Sequence, residues 1–117
     1  MPLVFSYGTL QDKEVQLSIY GRAIEGRPDA LAQAEQRVVV IEDAQVVAAT
    51  GRAQHANLEF NGRSDSRVAG TVLEITPAEL ATTDAYEERA DFKRIEVVLA
   101  SGTMAWTYIY WPSRRQP

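Results

Sequence analysis

The stretch RVAGTVLEITPAELATTDAYEE, residues 67–88, determines the fold class because it joins a strand directly to a helix. In Arg67–Ile75, successive side chains alternate between two faces, which predicts a half-buried strand. The next residues carry helix-start signals. Thr76 can cap the helix, Pro77 suits its first position, and Glu79 stands where a capping box needs it. The helix is predicted to run to the end of this stretch.

Short strands flank this strand–helix unit on both sides. The further predicted strands and apolar stretches are Leu3–Ser6, Arg37–Glu42, Gln45–Thr50, Arg94–Leu99 and Met104–Trp111. A short helix is predicted within Lys13–Tyr20, Pro28 marks a loop, Asn61-Gly62 a turn, and Ser101-Gly102 a hairpin. About six strands and two or three short helices, with neighbouring strands adjacent in sequence, predict an α+β fold.

Length, charge and cysteine content exclude several classes of protein. The 117 residues fit one domain, 1–117, and a net charge of −4 gives no general attraction to nucleic acid or to anionic membranes. The chain has no cysteine, so disulfides, thiolate catalysis and cysteine metal sites are excluded. We find no membrane-spanning stretch and no signal peptide, and therefore expect a cytoplasmic protein.

The tetrapeptide Tyr7-Gly8-Thr9-Leu10 follows the first predicted strand and precedes a helix-like segment. Gly8 has no side chain, so a ligand can approach the backbone closely. A strand that ends in such a turn and leads into a helix presents N–H groups to an anion. An ordinary turn is the alternative, because a glycine after a strand usually has that role.

Glu87 is an acidic residue on an apolar helix face. At 100° per residue, Glu87 lies almost in line with Leu80, whereas Glu88 lies toward the side. Burial and the negative end of the helix would raise the pKa of Glu87, which would make it a usable general base near neutral pH. An ion pair with a nearby basic residue, Arg89, Lys93 or Arg94, is an equally supported alternative.

The other candidate residues point less clearly to chemistry. His55 is the only histidine and is interpreted as a loop or strand-edge residue, so no metal cluster is expected. Dinucleotide and P-loop motifs are absent. Trp106, Tyr108 and Tyr110 share one strand face, which favours core lining over ligand stacking. The phenolic hydroxyls of Tyr7 and Tyr110 could nevertheless donate to a bound ligand.

These motifs together resemble the gamma-glutamylcyclotransferase family, including its gamma-glutamylamine cyclotransferase branch. The similarity covers about residues 3–111. Its parts are the Tyr7-Gly8-Thr9-Leu10 signature, His55-Ala56-Asn57-Leu58, Val68-Ala69-Gly70-Thr71-Val72, Asp84-Ala85-Tyr86-Glu87 and Phe92-Lys93-Arg94. Thr83 and Phe92 depart from common family residues, which leaves the shape of the pocket, and hence the substrate, open.

The resemblance implies a barrel-like mixed sheet and an enzyme that releases 5-oxoproline and a free amine from a small gamma-glutamyl compound. It implies Glu87 as the acid/base residue and substrate binding by Tyr7, Gly8, Thr9 and Leu10, to which Tyr110 is added as a candidate. No cofactor or metal is implied. The alternative is a non-catalytic module that binds small carboxylates or a protein partner and reuses the fold.

Overall fold

A computed structural model describes residues 1–40, 44 and 54–111. Within these residues it contains seven strands and two α-helices, which confirms the predicted α+β class. The elements are β1 (Leu3–Ser6), α1 (Lys13–Tyr20), β2 (Arg27–Ala32), β3 (Ala34–Val40), β4 (Gln54–Phe60), β5 (Arg67–Glu74), α2 (Pro77–Glu88), β6 (Phe92–Val98) and β7 (Met104–Tyr110). Neither described helix is long and apolar enough to cross a membrane.

The strands form a mixed five-stranded sheet and a separate two-stranded sheet. The larger sheet has the order β2-β5-β1-β7-β6, with β1 and β7 parallel and its other pairs antiparallel. The β3–β4 sheet packs on the larger one through contacts of β3 with β5 and of β4 with β7. The side chain of Asn57 helps to join them by accepting the N–H of Tyr110 at 2.9 Å. This packing gives the barrel-like arrangement that was expected.

Alternation along β1 divides the core into two apolar clusters. Val4 packs in one cluster with residues of both helices, whereas Phe5 packs in the other with Leu58 of β4. Both side chains are almost completely buried. Gly70 of β5 makes this packing possible, since a Cβ there would lie 2.4 Å from the Ser6 carbonyl oxygen and 2.7 Å from the Phe5 ring. The strand β1 is therefore packed against apolar residues on both of its faces.

The start of α2 agrees with the capping prediction. The Thr76 hydroxyl accepts the N–H of Glu79 at 3.0 Å, and the Glu79 carboxylate accepts the N–H of Thr76 at 2.9 Å. Arg22 adds a paired contact to the same carboxylate, and its bond lowers the pKa of Glu79 to about 2. These bonds fix the first turn of the helix whose last turn carries Glu87.

The structure differs from the sequence predictions at three strands, β2, β3 and β4. Pro28 lies in β2 and not in a loop, because β2 is an edge strand, where a missing N–H is tolerated. The strand β4 was not predicted. The strand expected at Arg37–Glu42 begins earlier, at Ala34, and is described to Val40. The stretch predicted at Gln45–Thr50 lies outside the described residues.

Candidate active site

The loop after β1, residues 7–10, leads through a short 3-10 helix into α1. This helix, Thr9–Gln11, is followed by Asp12, whose carboxylate caps α1 by accepting the Glu14 N–H at 2.8 Å. Within the described residues, the N–H groups of Thr9 and Leu10 have no hydrogen-bond acceptor. The Gly8 N–H, in contrast, donates to the Ser6 hydroxyl at 3.4 Å. The 7–10 loop therefore offers two backbone donors, and their binding of a substrate stays a prediction.

The 7–10 loop and Glu87 face the same cavity, which has a volume of about 440 Å³. Such a volume is within the range of small-molecule sites. The cavity is lined by residues 5–12, by Gln54, His55 and Ala56 of β4, by Glu87, and by Phe92, Thr107 and Tyr108. The juxtaposition of the loop with Glu87 was expected from the sequence. The roles of these residues remain predictions.

Glu87 is partly buried near the end of α2, and the protein around it displaces water from its carboxylate. This desolvation raises the pKa of Glu87 to about 8. Among the described residues, its carboxylate takes part in no hydrogen bond and no ion pair. Arg94, one of the proposed partners, instead lies 3.6 Å from a carboxylate oxygen of Asp84 and over the Trp106 ring. The arrangement favours the general-base interpretation over a structural ion pair.

Two tyrosines of the cavity wall are held through their hydroxyl groups. The Tyr7 hydroxyl donates to the main-chain carbonyl of Tyr108, so its proton is used within the protein and not presented to a ligand. The Tyr108 hydroxyl donates to Asp84 at 2.6 Å. Burial and the negative charge of Glu87 raise the pKa of Tyr7, while burial and the bond to Asp84 raise that of Tyr108. Both side chains therefore remain protonated at neutral pH.

Tyr110 does not lie among the residues that line the cavity. It packs edge-on against Phe92, a lining residue, with 5.7 Å between the ring centroids. The interpretation of the aromatic stripe as core is confirmed, because Trp106, Tyr108 and Tyr110 all belong to one apolar cluster. His55 lies on β4, at the edge of the two-stranded sheet, and also lines the cavity, which its sequence context did not indicate.

The sequence matches a family profile over most of its length. Residues 4–117 match the family described as "Gamma-glutamyl cyclotransferase, AIG2-like". The chain belongs to this gamma-glutamyl cyclotransferase family. No curated protein matches it in sequence.

Solved structures of low sequence identity share the fold. A gamma-glutamyl cyclotransferase is similar with a TM-score of 0.73 and 15% identity, over 94% of this chain and 66% of that one. An uncharacterized Homo sapiens protein gives 0.71 and 16%, over 93% and 66%. An Arabidopsis thaliana protein solved in solution gives 0.67 and 20%, over 99% and 65%. The chain thus spans about two thirds of the length of these neighbours.

Tyr86 directly precedes Glu87, and its contribution to the site was not predicted from the sequence. Its hydroxyl lies 3.0 Å from the Thr9 hydroxyl, and either group can be the donor. The pair links the 7–10 loop to the last turns of α2. The two residues are 77 positions apart, so no local pattern could have indicated the contact.

A second cavity, of about 480 Å³, adjoins the first across Phe92 and Tyr108. Its lining mixes acidic and basic side chains, among them Asp84, Glu88 and Arg94. In the described part of the chain, no group of three His, Cys, Asp or Glu residues is placed to hold a metal ion. The polar groups that line the first cavity include the Glu87 and Asp12 carboxylates, the His55 imidazole, hydroxyl groups and the backbone of the 7–10 loop.

Proposed function

We propose that this member of the gamma-glutamyl cyclotransferase family cyclises a small gamma-glutamyl amide to 5-oxoproline and releases the free amine. The observation that carries the proposal is that Glu87 shares a cavity with the Thr9 and Leu10 N–H groups, and that none of these groups has a partner among the described residues. The family match supports a cyclotransferase-type activity. The substrate and the residue roles are inferred from the chemistry of the cavity.

Glu87 acts as the general base and then as the general acid. It takes one proton from the α-ammonium of the substrate, and the amine nitrogen attacks the γ-carbonyl carbon. A five-membered ring closes, Glu87 gives the proton to the leaving nitrogen, and the carbon–nitrogen bond breaks to release the free amine. The ring nitrogen still carries one proton more than an amide nitrogen does, and the Glu87 carboxylate takes this second proton and passes it to solvent, which leaves neutral-amide 5-oxoproline. A pKa of about 8 suits this exchange, because α-amino groups titrate at about 7.7–8.0 and the proton can pass in either direction at little cost.

The 7–10 loop holds the substrate carboxylate through the N–H groups of Thr9 and Leu10. These donors need no reorganisation when an anion arrives, since no described residue accepts their hydrogen bonds. Fixing the carboxylate also fixes the α-amine that stands beside it in the substrate, and so brings the amine to the γ-carbonyl. Such orientation can contribute several kcal/mol to the rate of ring closure.

The developing oxyanion also needs hydrogen-bond donors. The N–H groups of the loop are one source, and a tyrosine hydroxyl is another. The Tyr7 and Tyr108 hydroxyls already donate within the protein, to Tyr108 and Asp84 respectively. Both sources are therefore engaged before an oxyanion forms, the Thr9 and Leu10 N–H groups with the substrate carboxylate and the two hydroxyls within the protein.

The test is release of 5-oxoproline from matched γ-linked and α-linked glutamyl amides, with a metal chelator present. We expect turnover of γ-linked compounds alone, because the amine of an α-linked isomer cannot reach the carbonyl that must be attacked. Equal release from both isomers, or dependence on added metal, would refute the proposed reaction. Binding of γ-linked amides without turnover would instead indicate a non-catalytic carboxylate-binding module.

A further inference from the structure

The hydroxyl pair of Thr9 and Tyr86 forms a direct hydrogen bond between the 7–10 loop and the turn of α2 that carries Glu87. The two oxygen atoms are 3.0 Å apart and partly buried. Only one of the two hydroxyl groups can donate in this contact. The direction of donation therefore decides whether the Thr9 proton is used within the protein or remains for a ligand.

A bound anion selects one of these two arrangements. If Tyr86 donates to Thr9, the Thr9 proton is free to donate to a carboxylate in the cavity, which Thr9 lines. Hydrogen bonds to a charged acceptor are about twice as strong as neutral ones, so an anionic substrate favours this direction. Tyr86 then orients the Thr9 hydroxyl without lining the cavity itself.

From this geometry we infer that Tyr86 is a positioning residue, which holds the Thr9 hydroxyl and the 7–10 loop in the arrangement that binds the substrate carboxylate. The inference rests on the proposed function, because that function supplies the carboxylate. It concerns substrate binding and not the proton transfer by Glu87. Loss of the Tyr86 hydroxyl should therefore raise KM and leave kcat nearly unchanged.

The chain offers a matched control for this contact. The hydroxyls of Tyr20 and Thr83 form the same kind of pair, 2.5 Å apart, and also join the N-terminal region to α2. Tyr20 does not line the cavity. Tyr20→Phe therefore removes a similar hydroxyl–hydroxyl contact with α2, but one that does not involve the 7–10 loop. A general loss of stability would affect both variants alike.

The experiment compares Tyr86→Phe, Thr9→Val, their double variant and Tyr20→Phe in 5-oxoproline release. Tyr86→Phe should raise KM about five- to tenfold, the effect of one hydrogen bond, and the double variant should be no worse than Thr9→Val. Tyr20→Phe should leave KM unchanged. Equal KM values for Tyr86→Phe and the wild type, or additive effects in the double variant, would overturn the inference.

Amide hydrogen exchange separates this inference from the proposed function. The N–H groups of Gln11 and Asp12 donate to the carbonyls of Gly8 and Thr9 and so report on the order of the loop. Tyr86→Phe should accelerate their exchange, whereas Tyr20→Phe should not; unchanged exchange would overturn the link. If exchange is accelerated but the wild-type protein releases no 5-oxoproline from any γ-linked amide, the structural link is supported. The proposed function is then refuted, and so is the role of Tyr86 in substrate binding.

Discussion

Replacing Glu87 with glutamine should stabilise the protein at alkaline pH while removing its activity. Burial raises the pKa of Glu87 from its ordinary value of 4.5 to about 8. The folded protein therefore binds this proton more tightly than the unfolded chain does. As the pH rises from about 4.5 to about 8, this residue lowers the free energy of unfolding, and above about pH 8 its unfavourable effect is constant.

The size of the effect follows from the shift in pKa. A rise from 4.5 to about 8 corresponds to about 5 kcal/mol in the free energy of unfolding once the group is fully ionised in both states. At pH 7, Glu87 is still mostly protonated in the folded state, and its effect on the free energy of unfolding is about 3 kcal/mol. Glutamine has nearly the same shape and no charge, so it resembles the protonated glutamic acid at every pH.

Urea denaturation of the wild type and Glu87→Gln at pH 5 and pH 8.5 measures this difference. We expect the two proteins to differ little at pH 5, and the variant to be more stable by several kcal/mol at pH 8.5. Other groups titrate equally in both proteins, so the comparison isolates Glu87. Glu88→Gln is the matched control, because Glu88 is the exposed neighbour in the same helix turn and lies outside the first cavity.

The same variants test the catalytic role. Loss of a general base costs about 100- to 10,000-fold in rate, so folded Glu87→Gln should release almost no 5-oxoproline, while Glu88→Gln should remain active. A stability difference that does not change with pH would refute the desolvation argument. Substantial turnover by stable Glu87→Gln would refute the role of Glu87 as the base.

Further predictions concern pH, the loop and the core. The value of kcat/KM should peak near pH 8 and fall on both sides, because the pKa of Glu87 is about 8 and the reacting complex holds one proton between this carboxylate and the amine. Gly8→Val should weaken binding of γ-linked substrates with little change in thermal midpoint, since a Cβ there meets no atom within 4 Å. Gly70→Ala should destabilise the fold by about 1–3 kcal/mol in denaturation. Gln16→Leu should cost about 2–4 kcal/mol, because the carbonyl of Leu10 and the N–H of Ile24 lose their buried partner.

Elements with local signals were predicted well from the sequence. The helix α2 begins at Pro77 and ends at Glu88, as its capping residues and its periodicity indicated. These signals act within a few residues of one another, so the sequence contains them directly. The placement of Glu87 on the face of Leu80 follows from helix geometry in the same way.

Elements that depend on distant partners could not be predicted. The strand β4 has the sequence QHANLEF, without β-branched residues, and it is a strand because it pairs with β3 along its whole length. The contact of Tyr86 with Thr9 also depends on tertiary packing. For Tyr110, alternation correctly placed the side chain on the face of Tyr108 but could not show that it lies behind Phe92.

Among the described residues, no cation pairs with the Glu87 carboxylate, and two of its three proposed partners have other contacts. Arg94 contacts Asp84 and Trp106, and Lys93 lies over the Trp111 ring, so both cations are engaged on the side of the second cavity. The free energy of unfolding of domains of this size is about 5–15 kcal/mol, and the cost of ionising a desolvated carboxylate is large on that scale. An ion pair would relieve it but would lower the pKa and remove the base. The unfavourable desolvation of Glu87 is what the proposed role as a general base requires.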